Sequence, residues 1–220
     1  MMEKIAIFGG TGRTGKHLVE QVAARGIIPI CLVREKSKEK ITERKAFSII
    51  GSPLEYEDVL ATIEGCDAVL VALNIARKSD WPWAKVVTPP NLLDIAMKNI
   101  VKAMNDSGVR RVITVSAWGV GDSYSEVNWM FRFLINKTKV GSAYAGHEDQ
   151  EKVLRQSGLD WTAVRPVGLT NETWHSPIRV SYKGENKLRM TINRKDVAKF
   201  MLDILEDKKY FQTTPSISMD

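Results

Sequence analysis

The chain has 220 residues, 44% of them hydrophobic and 26% charged, proportions that are ordinary for a soluble globular protein folded as one domain over residues 1–220. Its net charge of +6 comes from bases interleaved with acids, so nucleic-acid binding has little support, and the alternatives are a solvated surface or attraction for a polyanionic cofactor. No apolar run approaches the roughly 20 residues that cross a bilayer, and no secretory leader is apparent, so we expect a cytoplasmic protein without membrane contact. Cys31 and Cys66 show no metal-ligand spacing, so we expect no bound metal.

The first elements of the chain enclose a run of glycines. Residues 4–8 have the apolar, β-branched character of a buried strand, and residues 13–25 have the apolar spacing of a helix that ends at Gly26. Between them, Gly9-Gly-Thr-Gly-Arg-Thr-Gly15 contains both G-x-G-x-x-G and G-x-x-G-x-x-G. Glycines here allow a tight turn and let backbone N–H groups approach a phosphate at a helix N-terminus. This context indicates a dinucleotide site, and an ordinary strand–helix turn is the alternative.

Strand and helix patterns continue to alternate through the first half of the chain. We predict strands over 27–33, 47–50, 67–73 and 111–116, helices over 54–65 and 91–107, and a loop or short helix over 34–45. Such alternation predicts an α/β fold, a doubly wound and mainly parallel Rossmann sheet with helices on both faces. The ligand of such a sheet lies at the carboxyl ends of the strands, where the glycine run, Arg34, the segment after Leu73 and Ser116 all fall.

The second half of the chain is less regular. A helix over 147–156 precedes a strand over 161–165, which Pro166 stops. Short strands over 178–182 and 188–192 flank Lys183-Gly-Glu185, a pattern that is typical of a hairpin turn. A last helix over 196–205 and a short strand over 216–218 follow. We expect the part from about residue 166 onward to form a small extension on the substrate side of the sheet.

The residue after the second strand predicts which cofactor the site prefers. An acid at this place binds the 2′-hydroxyl of the adenosine ribose, whereas an arginine suits a 2′-phosphate. Here Arg34 follows Val33 directly, and Glu35 is expected to face solvent. Arg34 can form two parallel bonds with phosphate, and Lys38 and Arg13 could add positive charge. We therefore predict NADP(H) and leave NAD(H) open; a solvated surface arginine is the alternative.

Seven segments spread over nearly the whole chain carry a family resemblance. They are Lys4-Ile-Ala-Ile-Phe-Gly-Gly-Thr-Gly-Arg-Thr-Gly15, Leu32-Val-Arg34, Asn99-Ile-Val-Lys-Ala-Met104, Val115-Ser-Ala117, Lys152-Val-Leu-Arg-Gln-Ser-Gly-Leu159, Val164-Arg-Pro166 and Arg194-Lys-Asp-Val-Ala198. Together they resemble the atypical short-chain dehydrogenase/reductase family, most of all its biliverdin/flavin reductases and related redox-sensor proteins. The resemblance is specific for fold and cofactor and says little about the substrate. With the residue patterns above, it assigns cofactor binding to Gly9, Thr11, Gly12, Arg13, Thr14, Gly15, Arg34, Lys38, Leu73, Asn74, Ser116, Ala117 and Pro166.

The catalytic residues of that family are only partly present. Short-chain dehydrogenases commonly use a serine and a tyrosine whose pKa is lowered by a lysine four residues later. This chain has Ala143 and His147 at the tyrosine and lysine positions, which puts carbonyl reduction by that general acid in doubt. Ser116 holds the serine position and His147 matches a histidine of the biliverdin/flavin reductases, so we predict these two as catalytic; a strand-end serine and a structural histidine are the alternatives. Gly168 replaces the family's second pocket histidine, and His175 lies a few residues further on.

Three functions are compatible with these residues. The first is an NADPH-dependent oxidoreductase that passes hydride to a small planar acceptor such as a flavin. This reaction does not require the tyrosine–lysine pair, because solvent can supply the proton. The second is a non-catalytic protein that senses NADP(H) and regulates a protein partner. The third, a nucleotide-sugar epimerase or dehydratase, is disfavoured by the missing tyrosine–lysine pair and by the short C-terminal part. The oligomeric state stays open.

Several tryptophans fall near the predicted site. Trp118, Trp129 and Trp174 could form an apolar wall for a planar substrate, but the sequence favours core or dimer contacts for most of them. Trp81-Pro-Trp83 follows the fourth strand, where a lid is expected. Because two exposed tryptophans would be unusual, we expect them to pack over another part of the protein.

Overall fold

An eight-stranded sheet runs through the protein in a computed structural model that describes residues 2–43, 46–172 and 176–220. Along the chain the strands are β1 (Lys4–Phe8), β2 (Ile28–Val33), β3 (Phe47–Ile50), β4 (Ala68–Val71), β5 (Arg111–Val115), β6 (Asp160–Pro166), β7 (Gly168–Thr170), β8 (Ile178–Ser181), β9 (Thr191–Asn193) and β10 (Ser216–Met219). The order across the sheet is β3-β2-β1-β4-β5-β6-β10-β8, and β7 pairs with β9 apart from it. All neighbours in the large sheet are parallel except β10 and β8.

Six α-helices are present in the described residues, and they pack around the sheet. They are α1 (Gly15–Ala24), α2 (Tyr56–Ile63), α3 (Leu92–Asp106), α4 (Trp129–Lys137), α5 (Gly141–Gln156) and α6 (Arg194–Asp203). Helix α1 packs with α6, whereas α3 packs with both α2 and α5. None of the helices in the described ranges is long and apolar enough to cross a bilayer.

The sheet is buried on both faces because successive residues of its central strands point to opposite sides. In β1, Ile5 and Ile7 belong to the core beneath α1 and α6, while Ala6 and Phe8 belong to the core beneath α2, α3 and α5. All four side chains are fully buried. The predicted doubly wound α/β fold is therefore confirmed.

The strand order reverses beside β1, which has β2 on one side and β4 on the other. Chains that leave adjacent strands in opposite directions open a crevice at the carboxyl ends of those strands. The glycine run between β1 and α1 lies at this point. The topology thus places the predicted cofactor residues at one edge of the sheet.

The predicted hairpin between residues 178 and 192 is wrong. The turn itself forms, with φ of 49° at Lys183 and 77° at Gly184 and a 3.0 Å hydrogen bond from the Glu185 amide to the Tyr182 carbonyl. Its flanking segments nevertheless separate, because β8 pairs antiparallel with β10 and β9 pairs parallel with β7. Local turn chemistry is correct here, but strands distant along the chain supply the pairing.

Helix α5 begins six residues earlier than the predicted residue 147, and α4 was not predicted. Glycines near the start of α5 lower the helix propensity that the sequence shows. Packing explains one of them, since a methyl group on Gly146 would lie 3.1 Å from a methyl of Leu93 and 3.3 Å from a side-chain carbon of Ile75. Gly146 therefore allows α5 to approach α3 closely.

Cys31 and Cys66 are buried free thiols. Burial raises the pKa of Cys31 to about 12 and that of Cys66 to about 11. Neither side chain is a thiolate at neutral pH, so both act as small apolar residues.

Candidate functional site

The glycine loop is a tight turn folded against the end of β4. Gly9 has a φ of +86°, its carbonyl accepts a 2.9 Å hydrogen bond from the Gly12 amide, and a methyl group at Gly9 would lie 2.6 Å from the Ala72 carbonyl oxygen. A methyl group on Gly15 would overlap the Gly9 carbonyl oxygen. The loop accepts no side chain at either place, and this brings the backbone at the start of α1 close to β1 and β4.

The first turn of α1 presents positive charge to the crevice. It contains no acidic residue, and the Thr14 side chain makes no capping hydrogen bond with the helix N-terminus. The amides of Lys16, His17 and Leu18 donate to the carbonyls of Gly12 and Thr14. The N–H groups of Arg13, Thr14 and Gly15, which have no backbone partner among the described residues, therefore remain available to an anion together with the helix dipole. Loop and helix start together fit the pyrophosphate of a dinucleotide.

Arg34 lies at the carboxyl end of β2, where the sequence predicts it. Its side chain is exposed and makes no ion pair or hydrogen bond with any residue that the structure describes. A short 3-10 helix over Glu35–Lys40 follows, in which Lys38 is exposed and Glu35 faces solvent as expected. Arg34 is thus free to bind an anion at the adenosine end of the crevice.

Arg13 is held by a carboxylate that sequence reasoning missed. Its two terminal nitrogens donate hydrogen bonds of 2.9 and 3.0 Å to the two oxygens of Asp80, which lies in the segment after β4. Hydrogen bonding and the charge of Arg13 lower the pKa of Asp80 below its ordinary value. Arg194 lies at the start of α6. Its pKa is below the ordinary value of an arginine, because burial and the nearby charge of Arg13 both oppose its positive charge. The glycine loop is therefore bordered by two guanidinium groups and one carboxylate.

The other predicted cofactor residues continue three neighbouring strands. Leu73 and Asn74 follow β4, Ser116 and Ala117 follow β5, and Pro166 ends β6. Backbone hydrogen bonds hold the last two segments together, from the Ser116 amide to Val164 (2.7 Å) and from Trp118 to the Pro166 carbonyl (3.0 Å). Asn74 is exposed, Leu73 and Ala117 are partly exposed, and Pro166 is buried. The structure thus brings the residues to one edge, and their contact with a cofactor stays a prediction.

The Ser116 hydroxyl bonds to a buried carboxylate. It donates a 2.7 Å hydrogen bond to Glu151 of α5, and the serine is only 2% exposed. Arg165 of β6 donates to both oxygens of Glu151, at 2.9 and 2.7 Å, and to Asp122 at 2.6 Å. Burial opposes the charge of Arg165, but its two carboxylate partners outweigh this and raise its pKa. Sequence reasoning missed both roles, although Arg165 lies within the segment Val164-Arg-Pro166 that carries the family resemblance and Glu151 directly precedes another such segment.

His147 lies one helical turn before Glu151 and is 3% exposed. Its Nδ1 atom has no hydrogen-bond partner among the described residues. Burial lowers the pKa of His147 to about 4, against an opposing effect of the Glu151 charge. The imidazole is therefore neutral at neutral pH, so the proton that it could offer is an N–H of the neutral ring.

His147 should contribute to the pH dependence of stability, because its pKa differs between the folded and the unfolded chain. Between about pH 6.5 and 4, the unfolded chain binds a proton at this residue that the folded protein does not. The free energy of unfolding should therefore fall as the pH falls through this window, by about 3 kcal/mol from this residue. Urea denaturation at several pH values should show a shallower loss in His147→Gln, while His17→Gln on α1 serves as control. An unchanged slope in His147→Gln would contradict the assignment.

A cavity of about 720 Å³ opens beside this edge of the sheet. Its lining comes from the segment after β5, from the end of α4 and from the first turns of α5: Gly119, Val120, Gly121, Tyr124, Ile135, Asn136, Thr138, Lys139, Gly141, Ser142, Tyr144, Ala145 and Glu148. Burial raises the pKa of Tyr144 above its ordinary value, so its hydroxyl stays protonated. The cavity is large enough for a small planar molecule.

Four tryptophans in the described part of the chain do not line this cavity: Trp81, Trp83, Trp118 and Trp129. Trp118 is buried against Phe131 and donates a 3.0 Å hydrogen bond to Glu126, which makes it a core residue. Trp129 is 81% exposed. The expected packing of Trp81 and Trp83 over the protein is wrong, because they are 65% and 51% exposed. Their rings contact each other in a tilted arrangement, with centroids 5.4 Å apart and an interplanar angle of 44°. Trp174 and His175 lie outside the described residues.

Fold and loop together define a Rossmann protein that binds a dinucleotide. The model of the NAD(P)H-binding family matches residues 9–208, so the chain belongs to that family. The resemblance stated from the sequence is therefore confirmed for the NAD(P)H-binding family as a whole.

The chain is also similar to individual proteins. It is 30% identical over 177 residues to an uncharacterized chloroplastic protein of Arabidopsis thaliana, covering 77% of this chain and 60% of the relative. It is 28% identical over 211 residues to an uncharacterized sugar epimerase of Bacillus subtilis, covering 93% of this chain and 89% of the relative. The chain thus spans less than two thirds of the Arabidopsis protein.

Two solved structures share the fold. A short-chain dehydrogenase/reductase from Veillonella parvula in complex with NADP superposes with a TM-score of 0.75 at 22% identity, covering 99% of this chain and 95% of that one. An anaerobilin reductase from Escherichia coli O157:H7 superposes with a TM-score of 0.79 at 17% identity, covering 98% of this chain and 97% of that one. These likenesses extend over the whole Rossmann fold.

Proposed function

We propose that the protein is an NADPH-dependent oxidoreductase that passes hydride to a flavin or another small planar acceptor. The observation that carries the cofactor preference is the exposed, unpaired Arg34 at the carboxyl end of β2, in the place where NAD-preferring folds have an acid. The Veillonella short-chain reductase that shares this fold is itself in complex with NADP, which supports the same preference.

The residues present fit this chemistry in four places. The glycine loop and the start of α1 would bind the pyrophosphate, and Arg34 would bind the 2′-phosphate. The segments after β4 and β5, with Asn74 and Ala117, would border the nicotinamide, and the cavity beside them would take the acceptor. Bound NADPH supplies a hydride, and a flavin that accepts it takes its proton from water. A tyrosine–lysine pair is then unnecessary, which accommodates Ala143 and His147 on α5.

Arg34→Ala should weaken NADPH binding about 10- to 100-fold, because a hydrogen-bonded charge pair contributes about 1.5–3 kcal/mol. NADH affinity should change little, since NADH has no 2′-phosphate. Titration calorimetry with both cofactors measures the difference. Arg110→Ala is the matched control, because Arg110 is an exposed arginine just before β5 at the opposite edge of the sheet. Equal losses for NADPH and NADH in Arg34→Ala would count against the assignment.

Turnover tests the reaction itself. The protein is mixed with NADPH and a panel of FMN, riboflavin, biliverdin and quinones, and the NADPH absorbance is followed. We expect turnover on at least one planar acceptor. Loss of turnover in Ser116→Ala or His147→Ala, with NADPH affinity retained, would assign those residues to the chemistry, whereas a joint loss of NADPH affinity would assign them to cofactor binding.

A second candidate is an NADP(H) sensor without catalysis. One feature favours it: the Ser116 hydroxyl is engaged by Glu151 and His147 is buried and neutral, so neither is free as an ionised catalyst. Tight NADPH binding with no turnover on any acceptor would support the sensor. Epimerase activity, which the name of the Bacillus relative suggests, is disfavoured by Ala143 and His147 at the places of the usual pair.

A further inference from the structure

Helix α4 is apolar on two opposite faces. Phe131 and Ile135 face inward, where Phe131 packs against Trp118 and Ile135 is buried. Trp129, Met130 and Phe133 are 81%, 59% and 54% exposed, and their spacing places them on one outward face. A surface helix normally presents polar residues to water, so this face is unusual.

A hairpin-like segment after β4 adds two more exposed aromatic side chains. Residues 76–88 fold back on themselves through an antiparallel bridge between Arg77 and Val86 and a 2.9 Å hydrogen bond from the Lys78 amide to the Lys85 carbonyl. Trp81 and Trp83 lie at its tip.

The tip contacts the segment that follows α4, because the Lys139 amide donates a 3.0 Å hydrogen bond to the Pro82 carbonyl. Phe133 lies one helical turn before the end of α4 at Lys137, and the hydrogen bond between Lys139 and Pro82 therefore brings the tip towards this end of the helix. We call these five exposed residues the aromatic face: Trp81, Trp83, Trp129, Met130 and Phe133.

Positive charge is concentrated around the aromatic face. Residues 128–140 contain three bases and no acid, and residues 76–88 contain three bases and one acid, Asp80, which is paired with Arg13. These two segments therefore hold a net charge of +5 of the chain's +6. The ammonium groups of Lys78, Lys85, Lys137 and Lys139 make no ion pair with any residue in the described part of the chain.

We propose that the aromatic face docks onto an anionic lipid surface. Exposed tryptophan, phenylalanine and methionine beside unpaired lysines are the composition of segments that lie in the membrane interface. Lysine is depleted at protein–protein interfaces, whereas juxtamembrane lysines are attracted by anionic headgroups. The expectation of no membrane contact came from the absence of a spanning segment, and peripheral docking does not require one. The inference does not depend on the reaction proposed above.

Vesicle flotation tests the proposal with the full chain. Vesicles of phosphatidylcholine alone are compared with vesicles that also contain phosphatidylglycerol, at low and high salt. The protein should float with the anionic vesicles and bind the neutral ones about tenfold less, and added salt should weaken the binding. Trp129→Ser/Phe133→Ser and Lys85→Glu/Lys137→Glu should each lose roughly tenfold or more of the anionic binding.

Two controls match these variants. Phe47→Ser removes an aromatic side chain that is 62% exposed on the edge strand β3, and Lys187→Glu/Lys208→Glu removes two exposed lysines elsewhere. Both should float like the parent, and NADPH affinity reports folding in every variant. Absence of flotation with anionic vesicles, or equal flotation of all variants, would overturn the proposal. A dimer in gel filtration that Trp129→Ser/Phe133→Ser dissociates, without vesicle binding by the parent, would assign the face to a second copy of the chain instead.

Discussion

Gly15→Ala should lower NADPH affinity more than 100-fold and destabilise the fold by about 1–3 kcal/mol, the usual effect of forcing a methyl group into a packed place. The added Cβ would overlap the Gly9 carbonyl oxygen and lie 2.9 Å from the Gly10 Cα. Gly9 cannot retreat, because it already lies against the Ala72 carbonyl. The loop must therefore open, which moves the amides at the start of α1 away from the pyrophosphate.

Gly12→Ala is the graded comparison for this prediction. Its Cβ would meet the Gly9 carbonyl oxygen at 3.1 Å, a tight contact that a small shift relieves. Thermal unfolding should therefore show a smaller loss of stability than in Gly15→Ala, and fluorescence titration measures NADPH affinity for both variants. NADPH binding within twofold of the parent in Gly15→Ala would refute the loop as a phosphate cradle.

Glu151→Ala should be the most destabilising single change in the site, at about 3–5 kcal/mol. Glu151 is 1% exposed and accepts hydrogen bonds from Ser116, Arg155 and Arg165. Removing the carboxylate leaves the guanidinium of Arg165 buried, with Asp122 as its one remaining charged partner among the residues that the structure describes. A buried charge that loses its main partner costs more than the pair contributes when intact.

Two variants separate the charge of Glu151 from its position on α5. Glu151→Gln keeps the shape and one acceptor, so we expect an intermediate loss of stability. Glu148→Gln changes an exposed carboxylate one turn away and should cost less than about 0.5 kcal/mol. Chemical denaturation measures the free energy of unfolding of Glu151→Ala, Glu151→Gln and Glu148→Gln. A loss below about 1 kcal/mol in Glu151→Ala would mean that water replaces the carboxylate beside Arg165.

Local sequence patterns are sufficient to predict the glycine loop and the strand ends that surround the site. The run from β1 through the glycine loop to α1 is continuous in sequence, and its strand period, turn chemistry and helix period agree. The carboxyl ends of β2, β4 and β5 then follow from topology alone, which places Arg34, Asn74 and Ser116 at one edge.

Contacts between distant residues could not be predicted in this way. Arg13 and Asp80 are 67 positions apart, and nothing around Asp80 distinguishes it from a solvated loop acid. Ser116 looks like a strand-end hydroxyl until α5 places Glu151 against it, 35 residues later. Such pairs depend on how helices pack on the sheet, and a single sequence holds no pattern for that.

The place of β10 in the sheet has a consequence for how the protein is made. β10 lies between β6 and β8 and pairs with both, so β8 has no neighbour in the large sheet until β10 exists. Residues 181 and 216, which are partners in that pairing, are 35 positions apart. At translation rates of about 5–20 residues per second, the nascent chain carries an unpaired β8 for roughly 2–7 s. The strands that form the cofactor crevice, β1, β2, β4 and β5, are complete before then. They can therefore pair on the ribosome while the positions of β10 and β8 at the end of the strand order are still unfilled.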